Sequence, residues 1–188
     1  MYRIVRHRWP VTPAVPARHS AVVPWPETRG TTRKGQHVSG EQLSLEDRQA
    51  MYDTLARYVW SMDTGDIEGV VATFTPDGVV KDITGKRWDA GAGGVRGFAT
   101  HFLTCPHRRG GQHHVQHLFV ESANGGGYRV TSYWLFIRWD TEGDTKSIRS
   151  LGSYVDTCVK VGGTWRIKEK IIAPWNSETA PIVGITVA

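Results

Sequence analysis

The second half of the chain contains four long segments with strand character, separated by short turns. The segments cover residues 113–121, 128–139, 147–161 and 164–173. The turns between them are rich in glycine, asparagine and aspartate, which favour tight reversals of the backbone. Because strands joined by short turns run in opposite directions, this pattern predicts an antiparallel meander. Strands of this length also twist and coil, so the sheet should be curved.

Helix signals come before these strands. Ser44 and Asp47 match a capping box, and apolar residues follow at helical spacing up to Met62. The remaining signals predict a helix break at Thr64–Asp66, a short helix over Ile67–Phe74 stopped by Thr75–Gly78, a strand over Val79–Ile83 and a third helix over Gly94–Phe102. The sequence therefore predicts an α+β fold, with helices first and most of the sheet last.

Charge and proline are unevenly distributed along the 188 residues. Residues 1–40 hold seven basic residues, one acidic residue and five of the nine prolines, whereas residues 41–188 hold sixteen basic and seventeen acidic residues. This composition predicts a basic, proline-rich and disordered tail over 1–40 and one domain over 41–188. The near-neutral domain argues against a nucleic-acid partner.

The chain lacks the apolar run of about 18–20 residues that a membrane-spanning helix needs. Only two cysteines, Cys105 and Cys158, are present, which excludes a disulfide scaffold and suits a reducing compartment. The expected location is therefore cytoplasmic, without a membrane partner.

Two side chains near the end of the first helix are candidates for a site. Tyr58 and Asp63 are five residues apart, so their directions around a helix differ by about 140° and they could border one cavity without touching. Each also has an ordinary structural explanation. Asp63 could be a solvated carboxylate that caps the next helix, and Tyr58 could be a core aromatic residue.

A histidine cluster opens the first long strand. Side chains alternate along a strand, so His113 and His117 should share one face and His114 should lie on the other. Only one of the adjacent pair His113 and His114 can then face a cavity. Cys105-x-His107 and His113-x3-His117 resemble zinc spacings, but residues four apart on a strand are separated by about 13 Å, so no metal site is expected.

The order of several short motifs resembles the SnoaL-like branch of the nuclear-transport-factor-2-like superfamily. The resemblance covers about residues 42–175 and is greatest to scytalone dehydratase, bile-acid dehydratase and the small subunits of ring-hydroxylating dioxygenases. The motifs are Tyr58-x4-Asp63-x-Gly65-Asp66, Phe74–Gly78, Gly94-Val95-x-Gly97-Phe98, His113-x3-His117-x3-Glu121, Ser132–Trp134, Gly152-x-Tyr154-x-Asp156 and Gly163-x-Trp165-Arg166-Ile167.

The resemblance implies a cone-shaped sheet wrapped around the N-terminal helices, with one deep, largely apolar pocket. It pairs Asp63 with His113 as catalytic residues and makes Tyr58 the helix-one aromatic of the pocket. Two further positions, Tyr154 and Trp134, match substrate-binding positions.

The resemblance leaves the roles of two histidines open. His117, a further substrate-binding candidate, stands where the family usually has asparagine. His114 is the fallback for the catalytic histidine if the register slips by one residue.

These residues suit acid–base chemistry, because imidazole is well matched to proton transfer near neutral pH. The expected activity is that of a cofactor-independent lyase or isomerase, resembling a dehydratase. His113 would remove a proton α or vinylogous to the carbonyl of an apolar cyclic ketone, polyketide- or steroid-like, while Tyr58 or Tyr154 polarises the carbonyl or protonates the departing hydroxyl. No metal or organic cofactor is needed.

The alternative is a non-catalytic small-molecule-binding protein or structural subunit of the same fold. In either case relatives imply a homo-oligomer, a dimer or a trimer.

Overall fold

The computed structural model describes residues 43–105, 110–140 and 142–176. The predicted tail over 1–40 and His107 lie outside these residues. The elements are α1 (Leu45–Thr64), α2 (Ile67–Ala72), β1 (Phe74–Lys81), β2 (Arg87–Trp88), a 3-10 turn (Ala90–Ala92), α3 (Gly94–Leu103), β3 (Gly111–Ser122), β4 (Tyr128–Asp140), β5 (Thr145–Val161) and β6 (Thr164–Pro174).

The first helix begins and ends where its capping residues indicate. The Ser44 hydroxyl accepts the Asp47 N–H at 3.0 Å, which satisfies one of the unpaired amides at the helix start. Gly65 ends α1 in the left-handed conformation, with φ of 80°. Asp66 then caps α2 by accepting the Gly69 N–H at 2.8 Å.

The predicted end of the second helix is wrong. α2 stops before Thr73, and Phe74 already pairs with Ile167 in β6. The register of this pairing shifts between Phe74 and Val79. The turn-forming residues 75–78 therefore make an irregular stretch inside β1 and do not end a helix; Pro76, which has no amide donor, fits such a position.

The six strands form one sheet in the order β2-β1-β6-β5-β4-β3. β3 to β6 are the predicted antiparallel meander, with pairings that run almost the full length of each strand. β1 joins β6 in parallel, so the sheet as a whole is mixed. α1 contacts both β6 and β3, although two strands lie between them. One helix can touch both only because the sheet curls around it.

A bulge in β3 changes the predicted facing of its side chains. His117 has a φ of 57°, and the pairing with β4 shifts between Gln116 and Phe119. The extra residue reverses the alternation beyond it. Leu118 therefore packs against the core, whereas His117 and Phe119 are exposed. The prediction that His117 shares a face with His113 is wrong for this reason.

The core lies between the inner face of the sheet and the three helices. Burial of these side chains is the main favourable contribution to folding. Its largest members are Met51, Leu55, Tyr58, Met62, Phe74, Trp88, Phe98, Trp134, Tyr154, Trp165, Ile167 and Ile172. Among the described residues, no helix combines the length and the apolar character needed to cross a membrane.

Candidate active site

The structure brings Asp63 and His113 into direct contact. Asp63 Oδ1 lies 2.6 Å from the ring Nδ1 of His113, and Asp63 Oδ2 accepts the backbone N–H of His113 at 2.9 Å. Both side chains are largely buried, with exposed fractions of 16% and 10%. A carboxylate held at both oxygens by one residue fixes the position of the imidazole ring as well as its rotation.

This contact follows from the fold. Asp63 lies in the last turn of α1, and His113 lies near the start of β3, which packs beside α1. A carboxylate at a helix C-terminus is disfavoured by the helix dipole, and the two hydrogen bonds from His113 oppose that cost. Asp63 does not cap α2, since Asp66 has that role.

His113 lines a cavity of about 60 Å³ inside the curved sheet. The floor is formed by buried side chains, and the mouth by half-buried or exposed ones. The floor residues are Tyr58, Met62, Phe98, Trp134, Tyr154 and Ile172, and the mouth residues are Ile83, Phe102, Phe136 and Ser150. Three of the predicted site residues, Tyr58, Trp134 and Tyr154, therefore meet His113 around one cavity.

Three aromatic residues of the floor form one packed cluster. Trp134 stacks on Tyr154 with ring centroids 5.6 Å apart, and Tyr58 meets the Tyr154 ring edge-on at 6.4 Å. Trp134 is 4% exposed. Its indole N–H has no acceptor among the described residues, and a buried donor of this kind calls for an explanation.

The cavity is small compared with most ligand pockets, which measure about 300–1,000 Å³. At about 60 Å³ it has room for a few water molecules. The side chains at the mouth must move before a ring-sized ligand can reach His113 through this cavity.

A second, more open space lies on the other side of the Asp63–His113 pair. This outer groove, of about 350 Å³, runs between α1 and β3. Asp63 and His113 both line it, together with Tyr52, Leu55, Ala56, Val59, Trp60, Gln112, Val115 and Leu118. Of the pair, only His113 also lines the inner cavity.

The other two histidines of the strand motif lie away from the cavity. His114 and His117 both line a shallow depression on the outer face of the sheet, where the His117 ring lies 5.8 Å from that of Tyr133. The structure therefore places His113, and not His114, beside Asp63. It also places the substrate-binding candidate His117 outside the cavity, because of the bulge at its own position.

A buried ion pair behind the cavity floor has no counterpart among the residues predicted from sequence. Lys170 Nζ donates to both oxygens of Asp156, at 2.9 and 3.1 Å, and both side chains are 1% exposed. The same ammonium lies 3.8 Å from the ring centroid of Tyr154 and 4.3 Å from that of Tyr58. The sequence does contain a signal for this pair. Asp156 shares the inward strand face of Tyr154, and a buried carboxylate needs a charged or hydrogen-bonding partner.

Burial sets the ionisation of this region. It lowers the pKa of Lys170 and raises the pKa of Asp156, and the attraction between the two charges opposes both shifts. Burial, reinforced by the charge of Asp156, also raises the pKa of the neighbouring Cys158 thiol to about 12.

Potential metal ligands are scattered over the described part of the chain. Within residues 43–105, 110–140 and 142–176, no three histidine, cysteine, aspartate or glutamate side chains cluster in a way that could hold a metal ion. The Asp63–His113 pair can take up and release a proton. As a metal site it would supply no more than two ligands.

Comparison with known proteins identifies the domain. A family model described as a SnoaL-like domain matches residues 43–170. This match confirms the resemblance drawn from the order of the sequence motifs. None of the curated proteins matches the chain.

Solved structures share the fold at low sequence identity. ActVI-ORFA from Streptomyces coelicolor is 18% identical, with a TM-score of 0.59 over 68% of this chain and 96% of that one. A protein from Novosphingobium aromaticivorans, provisionally named a scytalone dehydratase, is 21% identical, with a TM-score of 0.57 over 76% and 96%. A variant of Rv3472 from Mycobacterium tuberculosis, a protein of unknown function, is 24% identical, with a TM-score of 0.59 over 77% and 86%. These similarities, with others to structures described as having a cystatin-like fold, show that α+β fold and confirm the predicted fold class.

Proposed function

We propose that this chain, which belongs to the family of SnoaL-like domains, is a cofactor-independent lyase or isomerase that acts on an apolar cyclic ketone. One observation carries the proposal: the 2.6 Å contact between Asp63 and the ring of His113, at the wall of a cavity lined by aromatic residues. The name of the Novosphingobium protein points to the same class of reaction, dehydration.

His113 acts as the general base. Because Asp63 engages Nδ1, we assign Nε2, on the opposite edge of the ring, as the nitrogen that takes a proton from the carbon α or vinylogous to the carbonyl. The electron pair of that C–H bond moves to the carbonyl oxygen and gives an enolate. The carboxylate of Asp63 stabilises the imidazolium that forms, and acid–base catalysis of this kind contributes about 10²–10⁴-fold.

The enolate then has two outcomes. If a β-hydroxyl is present, the electron pair returns to expel it, and the departing group takes the proton from the His113 imidazolium and leaves as water. If instead a C=C bond is conjugated with the enolate, the imidazolium returns its proton to the far carbon of the dienolate, which gives an isomer.

The negative oxygen of the enolate needs hydrogen-bond donors. We assign this role to Trp134, whose buried indole N–H has no acceptor among the described residues, and to the phenols of Tyr58 and Tyr154. In a cavity that excludes water, such donors stabilise developing charge more strongly than solvent does. All three side chains line the inner cavity, which favours that side of His113 over the outer groove.

The proposal is tested with cyclic ketones of increasing size, beginning with cyclohexanone and 3-hydroxycyclohexanone. Nuclear magnetic resonance in D₂O measures exchange of the α-protons, and ultraviolet absorbance measures dehydration of the hydroxyketone to the enone. We expect His113→Ala to remove catalysis, a loss of about 10²–10⁴-fold. Asp63→Asn should lower the rate while binding persists.

The matched control is His114→Ala, which removes the neighbouring histidine on the outer face and should leave the rate unchanged. Wild-type rates in both His113→Ala and Asp63→Asn would refute the proposed pair.

A second candidate function is favoured by the sizes of the two spaces. A cavity of about 60 Å³ suits a structural subunit, and a groove of about 350 Å³ suits a non-catalytic binder of small molecules. Absence of any exchange above the solvent rate, across the whole set of ketones, would favour this second function.

We further propose that the chain forms a homo-oligomer, as the family resemblance implies. Several large apolar side chains on β3 to β5 are exposed and would be covered in such an assembly. They are Phe119, Tyr133, Ile148 and Leu151. Light scattering coupled to size-exclusion chromatography measures the mass, and a monomer at all concentrations would contradict this proposal.

A further inference from the structure

The buried ion pair behind the cavity floor has a role that the proposed reaction does not yet include. We propose that Lys170, fixed by Asp156, is a positioning residue that orients the rings of Tyr58 and Tyr154 and strengthens their phenols as hydrogen-bond donors. The catalytic role of Lys170 rests on the function proposed above, but the effect of Lys170 on the two phenols does not.

The geometry places one cation against two aromatic faces. Lys170 on β6 is opposite Asp156 on β5 in the strand register, and the ammonium is bound by both carboxylate oxygens. It lies 3.8 Å from the ring centre of Tyr154 and 4.3 Å from that of Tyr58. Lys170 itself does not line the cavity; the two tyrosines stand between them.

A contribution to folding stability does not explain why these two buried residues are charged. Removing two charges from water costs several kcal/mol per ion, and a buried pair can often be replaced by apolar residues with no loss of stability. The surrounding core is apolar and closely packed, with Val80 and Val130 fully buried opposite Lys170 and Asp156. An aliphatic pair would fit this environment, so the charges call for a further reason.

The effect on the tyrosines follows from electrostatics. A cation on the face of an aromatic ring attracts the π electrons and fixes the ring relative to the charge. When a phenol donates a hydrogen bond to an enolate oxygen, negative charge develops on the phenol as well. An ammonium about 4 Å from the ring stabilises that charge in a medium of low dielectric constant.

Other ionisable groups surround the two rings. His113, which is bonded to Asp63, lies on the cavity side, and Asp156 and Cys158 lie on the core side with Lys170. The carboxylate of Asp156 opposes the effect of the ammonium on the phenols. The ammonium itself lies directly on both ring faces, at 3.8 Å from the ring centre of Tyr154 and 4.3 Å from that of Tyr58.

The experiment compares the full-length wild-type chain with the double variant Lys170→Gln/Asp156→Asn. This change keeps a polar pair of similar shape that can hydrogen-bond and removes both charges. Carbon-13 labelling of the tyrosine ring reports the signal positions and the ring-flip rates of Tyr58 and Tyr154 at pH 7 by magnetic resonance, with each signal assigned from its phenylalanine variant. The matched control is Lys146→Gln/Asp144→Asn, which removes an exposed pair of the same residue types.

We expect the ring-carbon signals of both tyrosines to shift at pH 7 in the buried-pair variant, and their ring flips to become about tenfold faster, because the cation that polarises and fixes both rings is gone. The exposed-pair variant should match the wild type. Wild-type signal positions and flip rates in the buried-pair variant would overturn the inference.

If the amide pair does not fold, Lys170→Met/Asp156→Leu provides an apolar replacement with the same expected changes. For a ketone that the wild type turns over, the buried-pair variant should also lower kcat by about tenfold and leave KM nearly unchanged. A shift of the ring signals without any turnover would count against the proposed function alone, whereas turnover without a shift of the ring signals would count against the role of Lys170 alone.

Discussion

Asp63 holds His113 by two hydrogen bonds, one to the ring Nδ1 at 2.6 Å and one from the backbone amide at 2.9 Å. The second bond ties the end of α1 to the start of β3. Any displacement of one element therefore moves the carboxylate and the imidazole together. This coupling keeps the pair aligned at the wall of the cavity.

Because of the bulge in β3, we expect glycine substitution at His117 to have an unusual effect on the free energy of unfolding. His117 adopts a positive φ of 57°, which costs a side-chain-bearing residue about 1 kcal/mol and glycine almost nothing. We expect His117→Gly to leave the free energy of unfolding unchanged or to raise it. His114→Gly, at ordinary strand geometry, should lower it by about 1 kcal/mol. Urea denaturation measures both, and an equal loss in the two variants would contradict the bulge.

The two cysteines should differ sharply in reactivity. The pKa of Cys158 is raised to about 12 and its side chain is fully buried, so almost no thiolate forms at pH 8. Cys105 is half-buried. We expect iodoacetamide to modify one thiol in the native protein and the second only after unfolding. Cys105→Ser should abolish the native reaction, and rapid modification of two thiols would show that the Cys158 environment is wrong.

Asp82, in the loop between β1 and β2, should stabilise the domain in a pH-dependent way. Burial raises the pKa of this carboxyl, but hydrogen bonds from Thr84, Trp88 and the Lys86 amide outweigh burial, and the net pKa lies below its ordinary value of 3.8. A lowered pKa in the folded state means that the stabilisation is present above pH 3.8 and is lost as the pH falls through the folded-state pKa.

We therefore expect Asp82→Asn to lower the free energy of unfolding by about 2 kcal/mol at pH 7, and by progressively less below pH 3.8. Asp53→Asn, which changes an exposed carboxyl, serves as the control and should have little effect. Denaturation at a series of pH values measures both differences. A difference for Asp82 that grows towards acid pH would reverse the predicted sign.

The mouth of the cavity should control the size of ligand that reaches His113. Phe102 lies at the mouth, and its replacement by alanine opens space that the wild type lacks. We expect Phe102→Ala to increase binding of larger cyclic ketones relative to cyclohexanone, at a cost of about 1–3 kcal/mol in stability. Trp60→Ala enlarges the outer groove instead. The same increase in Trp60→Ala, measured by calorimetric titration, would place the ligand in the groove.

Much of the fold could be predicted from local patterns. The turn residues between the four long strands and the cap at Ser44 act within a few positions, so they are readable from sequence. The pattern of residues 75–78 misleads, because tertiary pairing with β6 overrides their turn preference. The bulge at His117 depends on the register between β3 and β4, which no local pattern of the chain reveals.

The candidate site also divides into features that could be predicted from the sequence and features that could not. The Asp63–His113 contact was expected from the family resemblance, since fifty residues separate the two in sequence. The partnership of Asp156 and Lys170 across two strands was missed, because it requires the β5–β6 register. The small cavity also depends on side-chain packing in three dimensions, which composition does not fix.

We propose that Asp63 fixes the proton on Nδ1 of His113 and so makes Nε2 the base. Nitrogen-15 magnetic resonance of histidine-labelled protein, with His113→Gln used to assign the signal, measures this directly. At neutral pH we predict a protonated Nδ1 and an unprotonated Nε2 in the wild type, and loss of this single tautomer in Asp63→Ala. A proton on Nε2 in the wild type, or an identical spectrum in Asp63→Ala, would contradict the account.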